Sequence, residues 1–173
     1  TAQRRGELLK ARWADIDTEG ALWTIPKEHS KNGKPHAVPL SPLALDLLRE
    51  LRTLAGESEF LFPARRSEQR DDAPMTAKAL SRAAARNQCG LERWTPHDLR
   101  RTAASHMNRL RTDALVVEKL LNHKLPQMME IYNRHTYPTE MRAALDSWGA
   151  ELRRIVAGTS NVVAMPKKPR ARA

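Results

Sequence analysis

The chain is 173 residues long, 40% hydrophobic and 29% charged, with a formal net charge of +10. That fits one soluble globular domain able to build its own core. No apolar run approaches the roughly 18 residues that span a bilayer, and the single cysteine, Cys89, excludes an internal disulfide and fits a reducing compartment such as the cytoplasm. The excess charge points to a polyanion, most often nucleic acid, and it is not only a tail effect: removing Lys167, Lys168, Arg170 and Arg172 of the terminal KKPRARA leaves about +6 on the rest.

In chain order, RRGELLKARWADID reads as a helix running into a strand, with Leu8, Leu9, Ala11 and Trp13 as its apolar positions. ALWTIP is rich in β-formers and stops at Pro26, KEHSKNGKP turns at Asn32-Gly33, and HAVPL returns. With DID these predict a small antiparallel sheet of three strands. The remainder is helical. Ser41 caps and Pro42 opens SPLALDLLRELRTLA, EFLFP is a short extended piece, and RRSEQRDDAP lacks apolar period and reads as a mobile loop. Thr76 caps TAKALSRAAARNQ, and further helices are expected over about 96–109, 112–122, 126–134 and 138–156. The fold class is therefore α+β: a mostly helical domain with a three-stranded antiparallel sheet near its N-terminus. GTSNVVAMPKKPRARA reads as a loose basic tail. The tryptophans at 13, 23, 94 and 148 read as packing residues.

Four stretches carry candidate chemistry, and each has an ordinary reading when taken alone. TPHDLRRT sets His97 and Arg100 three apart on one helical face near a helix start, which makes either a phosphate grip or a capped surface helix. LLNHK ends an apolar run in His123, a common helix-end placement. RRGEL offers Arg4, Arg5 and Glu7, or a solvated helix start. SKNGK offers Lys31 and Lys34, or two solubilising hairpin lysines. The chain has two tyrosines, and Tyr132 in NHKLPQMMEIYNRH is either a nucleophile or a ring packed in the core.

The order Arg, Lys, His-x-x-Arg, His, Tyr resembles the catalytic domain of the tyrosine recombinases, the phage-integrase family, over about residues 1–150. TAQRRGELLKARWADID is similar to the family's first arginine box and implies Arg4 as the first catalytic arginine with Glu7 as its companion acid. SKNGKPHAVPL resembles the β-hairpin whose catalytic lysine stands eight residues before the end of the second strand, which implies Lys31 and not Lys34. TPHDLRRTAAS resembles the second box, with His97 and Arg100, and LLNHKLPQMMEIYNRH the last, with His123 and the nucleophile nine residues later at Tyr132. Stretch 20–51 looks most like prophage-type integrases. Two positions depart from the pattern: Ala2 stands where the family often has glycine, and Asn122 where it usually has glycine before the histidine. The family normally carries an N-terminal helical domain that clamps DNA from the other side. The expected layout is therefore a catalytic domain over 1–157 without that domain, followed by a disordered basic tail over 158–173.

The resemblance implies a site-specific recombinase or integrase that cuts and rejoins DNA through a 3′-phosphotyrosyl link, in integration or excision of a prophage or other mobile element. Two arginine forks hold the non-bridging oxygens, and the histidines add hydrogen bonds or move a proton. Lys31 protonates the leaving 5′ oxygen. Tyr132 would ride on a segment, 124–136, able to swing after Pro126. No cofactor and no metal is expected, since no carboxylate cluster suits Mg²⁺. Double-stranded DNA is the implied partner, bound by a tetramer on paired sites with an accessory bending protein; no membrane is involved, and the location is cytoplasmic, on the nucleoid. The alternatives are a DNA-binding remnant without activity and a relaxing enzyme of the type IB topoisomerase kind; the short hairpin and the stretch from Trp23 to Pro39 speak against the latter.

Overall fold

The computed structural model describes residues 1–64, 72–126, 132–133 and 135–159. In chain order these hold α1 (Arg5–Leu9), a 3₁₀ turn (Trp13–Asp15), β1 (Ile16–Asp17), β2 (Leu22–Ile25), β3 (His36–Pro39), α2 (Pro42–Ala55), α3 (Ala77–Arg86), α4 (Pro96–Arg109), α5 (Ala114–Leu120) and a long final helix, α6 (Pro138–Val156). The predicted sheet is present, antiparallel in the order β1-β2-β3. Trp23 pairs with Val38 and both are buried, while Thr24 pairs with Ala37 and both face out. This alternation is what a half-buried pleated surface dictates.

The connection between β2 and β3 is longer than a tight hairpin. The Pro26 carbonyl accepts from the amides of His29 and Ser30, and a second turn follows in which Gly33, at φ 65°, donates to Ser30 O. The reversal at Asn32-Gly33 is thus the second of two turns, and Lys31 is the first of its two central residues.

Caps set most helix starts. Ser41 Oγ accepts from the Ala44 amide at 3.3 Å behind Pro42, and Thr76 Oγ1 accepts from Ala79 at 3.1 Å. Asp113 accepts from the Leu115 amide at 2.8 Å, so α5 begins two residues later than the sequence suggests, at Ala114. At the start of α4 the Asp98 carboxylate reaches back to the Thr95 amide and hydroxyl, at 3.0 and 2.7 Å. Those two hydrogen bonds hold the Asp98 pKa below its usual value.

The core lies between the inner face of the sheet and α4, α5 and α6. Trp23, Ile25 and Val38 from the sheet meet Met107 of α4, Val116, Val117 and Leu120 of α5, and Met141, Ala144 and Leu145 of α6. Helix α6 packs on α2, α4, α5 and β3. Gly149 permits the approach to α2, because a Cβ there would stand 2.8 Å from Ser41 Oγ. Trp23 is fully buried, and Trp13 and Trp148 pack against the core from its edge. No described helix is long and apolar enough to cross a membrane.

Of the expected loop at 65–74, Asp72 is described and accepts from the Ser58 hydroxyl and the Glu59 amide, at 2.8 and 2.7 Å. Its stretch 65–71, most of the helix expected over 126–134, and the tail beyond 159 lie outside the described residues.

Candidate functional site

The site is organised by the end of α5. A helix leaves its last carbonyls without intrahelical partners, and here the chain turns away sharply at Asn122, in left-handed conformation at φ 52°. The Asn122 amide donates to Lys119 O at 2.9 Å and the His123 amide to Glu118 O at 3.0 Å, the two reverse bonds of a Schellman motif. Glycine takes this conformation without strain, and asparagine is among the side chains that tolerate it most readily.

The freed carbonyls of residues 120–122 are then taken by side chains from distant parts of the chain. Leu120 O accepts from Gln3 Nε2 at 2.9 Å and faces His36 Nε2 at 3.1 Å. Leu121 O accepts from Arg100 Nη2 at 2.5 Å. Asn122 O accepts from Arg4 Nη2 at 2.9 Å and Asn32 Nδ2 at 2.7 Å. One helix end therefore gathers the N-terminal segment, the β2–β3 connection and α4. The negative end of a helix suits the two guanidinium groups drawn to it.

Around this hub lies a cleft of about 640 Å³ lined by Gln3, Arg4, Arg5, Lys31, Thr95, Pro96, His97, Arg100 and His123. Five of the six residues singled out in the sequence thus share one cleft. Lys34 does not; it lines a neighbouring groove with Lys119 and Lys124. Of the two hairpin lysines, only Lys31 faces the arginines.

Each cationic group is braced differently. Arg4 pairs through Nη1 with Glu7 at 3.2 Å, and Glu7, only 3% exposed, also takes the Arg4 and Lys31 amides, each at 3.2 Å. Arg100 is 6% exposed. Its Nη1 donates to Ala2 O at 2.7 Å, and Ala2 is also left-handed, at φ 55°. Burial, and then the positive charge of Arg4, pull the Arg100 pKa down to about 10. It remains charged at neutral pH, but as a desolvated cation beside another cation. A bound anion relieves that repulsion.

His123 approaches Arg100 Nη2 with Nε2, at 3.1 Å, and Glu118 Oε2 with Nδ1, at 2.7 Å. A guanidinium only donates, so Nε2 accepts, and the proton of the neutral ring sits on Nδ1, where it donates to Glu118. The sequence reading gave no role in the site to Glu118, Asn32 or Arg5. Glu118 could have been suspected as an acid one helical turn before a helix-end histidine; Arg5 was visible but unassigned, and its Nη1 reaches Ser81 Oγ of α3 at 2.9 Å. Asn32 was read only as a turn residue.

Tyr132 stands apart. It is not among the residues lining the cleft, and it is 80% exposed, which overturns the alternative of a ring packed in the core. That role belongs to Tyr137, which packs against the core, stacks edge-on with His135 at 4.5 Å and accepts from Asn133 Nδ2 at 2.6 Å.

A sequence profile described as the phage integrase family matches residues 1–138. Prophage integrase IntZ of Escherichia coli (strain K12) is 33% identical over 162 residues, which cover 93% of this chain and 39% of that protein. Tyrosine recombinase XerA of Pyrococcus furiosus is 30% identical over 138 residues, 79% of this chain and 47% of that protein. This chain therefore spans less than half the length of either relative. Among solved structures, XerA recombinase superposes with a TM-score of 0.60 at 21% identity, covering 83% of this chain and 52% of that one, and supports the fold. The XerH site-specific recombinase bound to its difH substrate superposes at 0.57 with 25% identity, covering 81% of this chain and 41% of that one.

Proposed function

The chain belongs to the phage integrase family, and from that premise we propose that it is the catalytic part of a tyrosine-type site-specific recombinase that cuts and rejoins DNA. The observation that carries this reading is the convergence of Arg4, Lys31, His97, Arg100 and His123 on one basic cleft, with Tyr132 on the surface, open to solvent.

The scissile phosphate sits between the Arg4 and Arg100 forks. Both are held by carbonyls and, for Arg4, by a buried carboxylate, so they need little rearrangement as charge grows on the non-bridging oxygens. The Tyr132 phenolic oxygen attacks phosphorus in line. The P–O5′ bond breaks as the P–O bond to tyrosine forms, the phenolic proton passes to an imidazole of the cleft, and Lys31 gives a proton to the departing 5′ oxygen. The product is a 3′-phosphotyrosine and a free 5′-hydroxyl. Because the bond energy is kept in the ester, another 5′-hydroxyl can reverse the attack without ATP, whereas attack by water would cut irreversibly. On this reading Tyr132 has to come from its exposed position to the cleft.

Four strands must each be joined transiently to a tyrosine during a complete exchange, so four copies act on two paired sites, with an accessory DNA-bending protein as a candidate helper. The 33% identity to a prophage integrase favours integration or excision of a mobile element as the biological setting. The direct test is a nicked suicide substrate that traps the covalent adduct. Adduct formation by the unaltered protein and not by Tyr132→Phe is expected. Salt-sensitive DNA binding with no adduct, even with an N-terminal DNA-clamping domain supplied, would instead make the chain a binding remnant.

A further inference from the structure

Asn122 adds something to this site that the glycine usual at its position cannot. The helix end asks only for a left-handed residue and a free carbonyl, and glycine supplies both. The Asn122 side chain is additional, and both of its polar atoms are engaged across the chain. Its Nδ2 donates to Ser30 Oγ at 3.1 Å, and its Oδ1 accepts from Asn32 Nδ2 at 2.9 Å. The same Asn32 amide also reaches the Asn122 carbonyl at 2.7 Å.

Ser30 and Asn32 are the two neighbours of Lys31. Ser30 is 7% exposed and Asn122 half-buried, so their bond is partly buried. The amide of Lys31 itself is held by Glu7 Oε1 at 3.2 Å. Three consecutive residues of the β2–β3 connection are thus fastened to Glu7 or to the turn that ends α5, two of them by one asparagine side chain. The Lys31 side chain remains exposed and lines the cleft.

We propose that Asn122 is a positioning residue that latches the Lys31 turn to the end of α5 and so presets the ammonium over the cleft. This rests on the reading of Lys31 as the acid that protonates the leaving 5′ oxygen. A fixed backbone on both sides of a flexible lysine narrows the volume its ammonium searches, which raises the fraction of time it stands within proton-transfer reach.

The test uses Asn122→Gly, which keeps the left-handed turn and removes only the side-chain bonds. Single-turnover adduct formation is measured on two suicide substrates, one natural and one with sulfur in place of the bridging 5′ oxygen. When the P–S bond breaks, the sulfur departs with the electron pair as a thiolate and needs no proton. Asn122→Gly is expected to be on the order of 10- to 100-fold slower on the oxygen substrate and within about twofold of the unaltered protein on the sulfur substrate. Lys31→Ala should show the same pattern with a larger loss. Equal slowing of Asn122→Gly on both substrates, or no slowing on either, overturns the latch. If sulfur fails to rescue Lys31→Ala, it is the acid assignment that falls, and hydrogen exchange then judges the latch alone: the amides of Lys31 and Asn32 must exchange faster in Asn122→Gly than in the unaltered protein, and unchanged rates overturn it.

Discussion

The wall of the cleft and the surface around Tyr132 are built on opposite principles. Arg100 is 6% exposed and its guanidinium is bonded to Ala2 O, Leu121 O and His123, whereas Tyr132 is 80% exposed and lies outside the cleft lining. Groups that stabilise charge gain from being fixed in advance, because reorienting dipoles during reaction is what preorganisation avoids. In the proposed reaction Tyr132 is the nucleophile, and its exposure keeps it apart from those fixed groups. The contrast teaches that binding and chemistry should separate on mutation.

The largest effect follows from that separation. Tyr132→Phe should abolish the covalent adduct on a nicked substrate and leave DNA affinity, measured by gel shift or anisotropy, within about twofold, since a phenolic oxygen contributes little to phosphate binding. An adduct formed by the phenylalanine variant would remove Tyr132 from the chemistry. On the other side of the comparison, Arg4→Ala and Arg100→Ala should each slow adduct formation by about 10²–10³-fold. Arg100→Lys should recover little, because an ammonium cannot satisfy Ala2 O, Leu121 O and a phosphate with one fork. Normal rates in either alanine variant would show that the cleft is not where the phosphate is held.

Smaller effects probe how the cleft wall is supported. Ala2 holds φ 55° while its carbonyl takes Arg100. Ala2→Gly should relieve that conformation and stabilise the fold by about 1 kcal/mol, read as a shifted urea midpoint at unchanged slope.

The smallest expected change is the pH dependence of His36. Burial is the main cause that holds its pKa below the ordinary 6.5, with the charges of Arg4 and Arg100 adding to it and the Leu120 carbonyl and Glu7 opposing it. The unfolded chain therefore takes the proton first as pH falls. Stability attributable to this neutral ring is fully present above about pH 6.5 and declines below it. Urea titrations at about pH 8 and pH 5.5 should show that decline, and His36→Gln should make it shallower. An equal slope in the variant would place the acid sensitivity elsewhere.

The sheet, the caps at Ser41 and Thr76 and the long last helix could be read along the chain, because strand alternation, capping chemistry and helical period are local properties. The grouping of Arg4, Lys31, His97, Arg100 and His123 was named from motif order and resemblance alone. Nothing in their spacing says that they meet. The reversal expected at Asn32-Gly33 is present, but a first turn at Pro26 that the sequence reading did not separate precedes it, since the Pro26 carbonyl takes the amides of His29 and Ser30.

By itself, then, the sequence determined the α+β character and the helix starts at Ser41 and Thr76, which depend on near neighbours. Only the tertiary structure decided that three orphan carbonyls at the end of α5 collect Gln3, Arg4, Asn32, His36 and Arg100. Only there did Lys31 and Lys34 part into different grooves, and only there did Tyr137 turn inward and Tyr132 outward. The physical reason is that hydrogen-bond satisfaction and burial are settled between segments far apart in the chain, and no local window contains both partners.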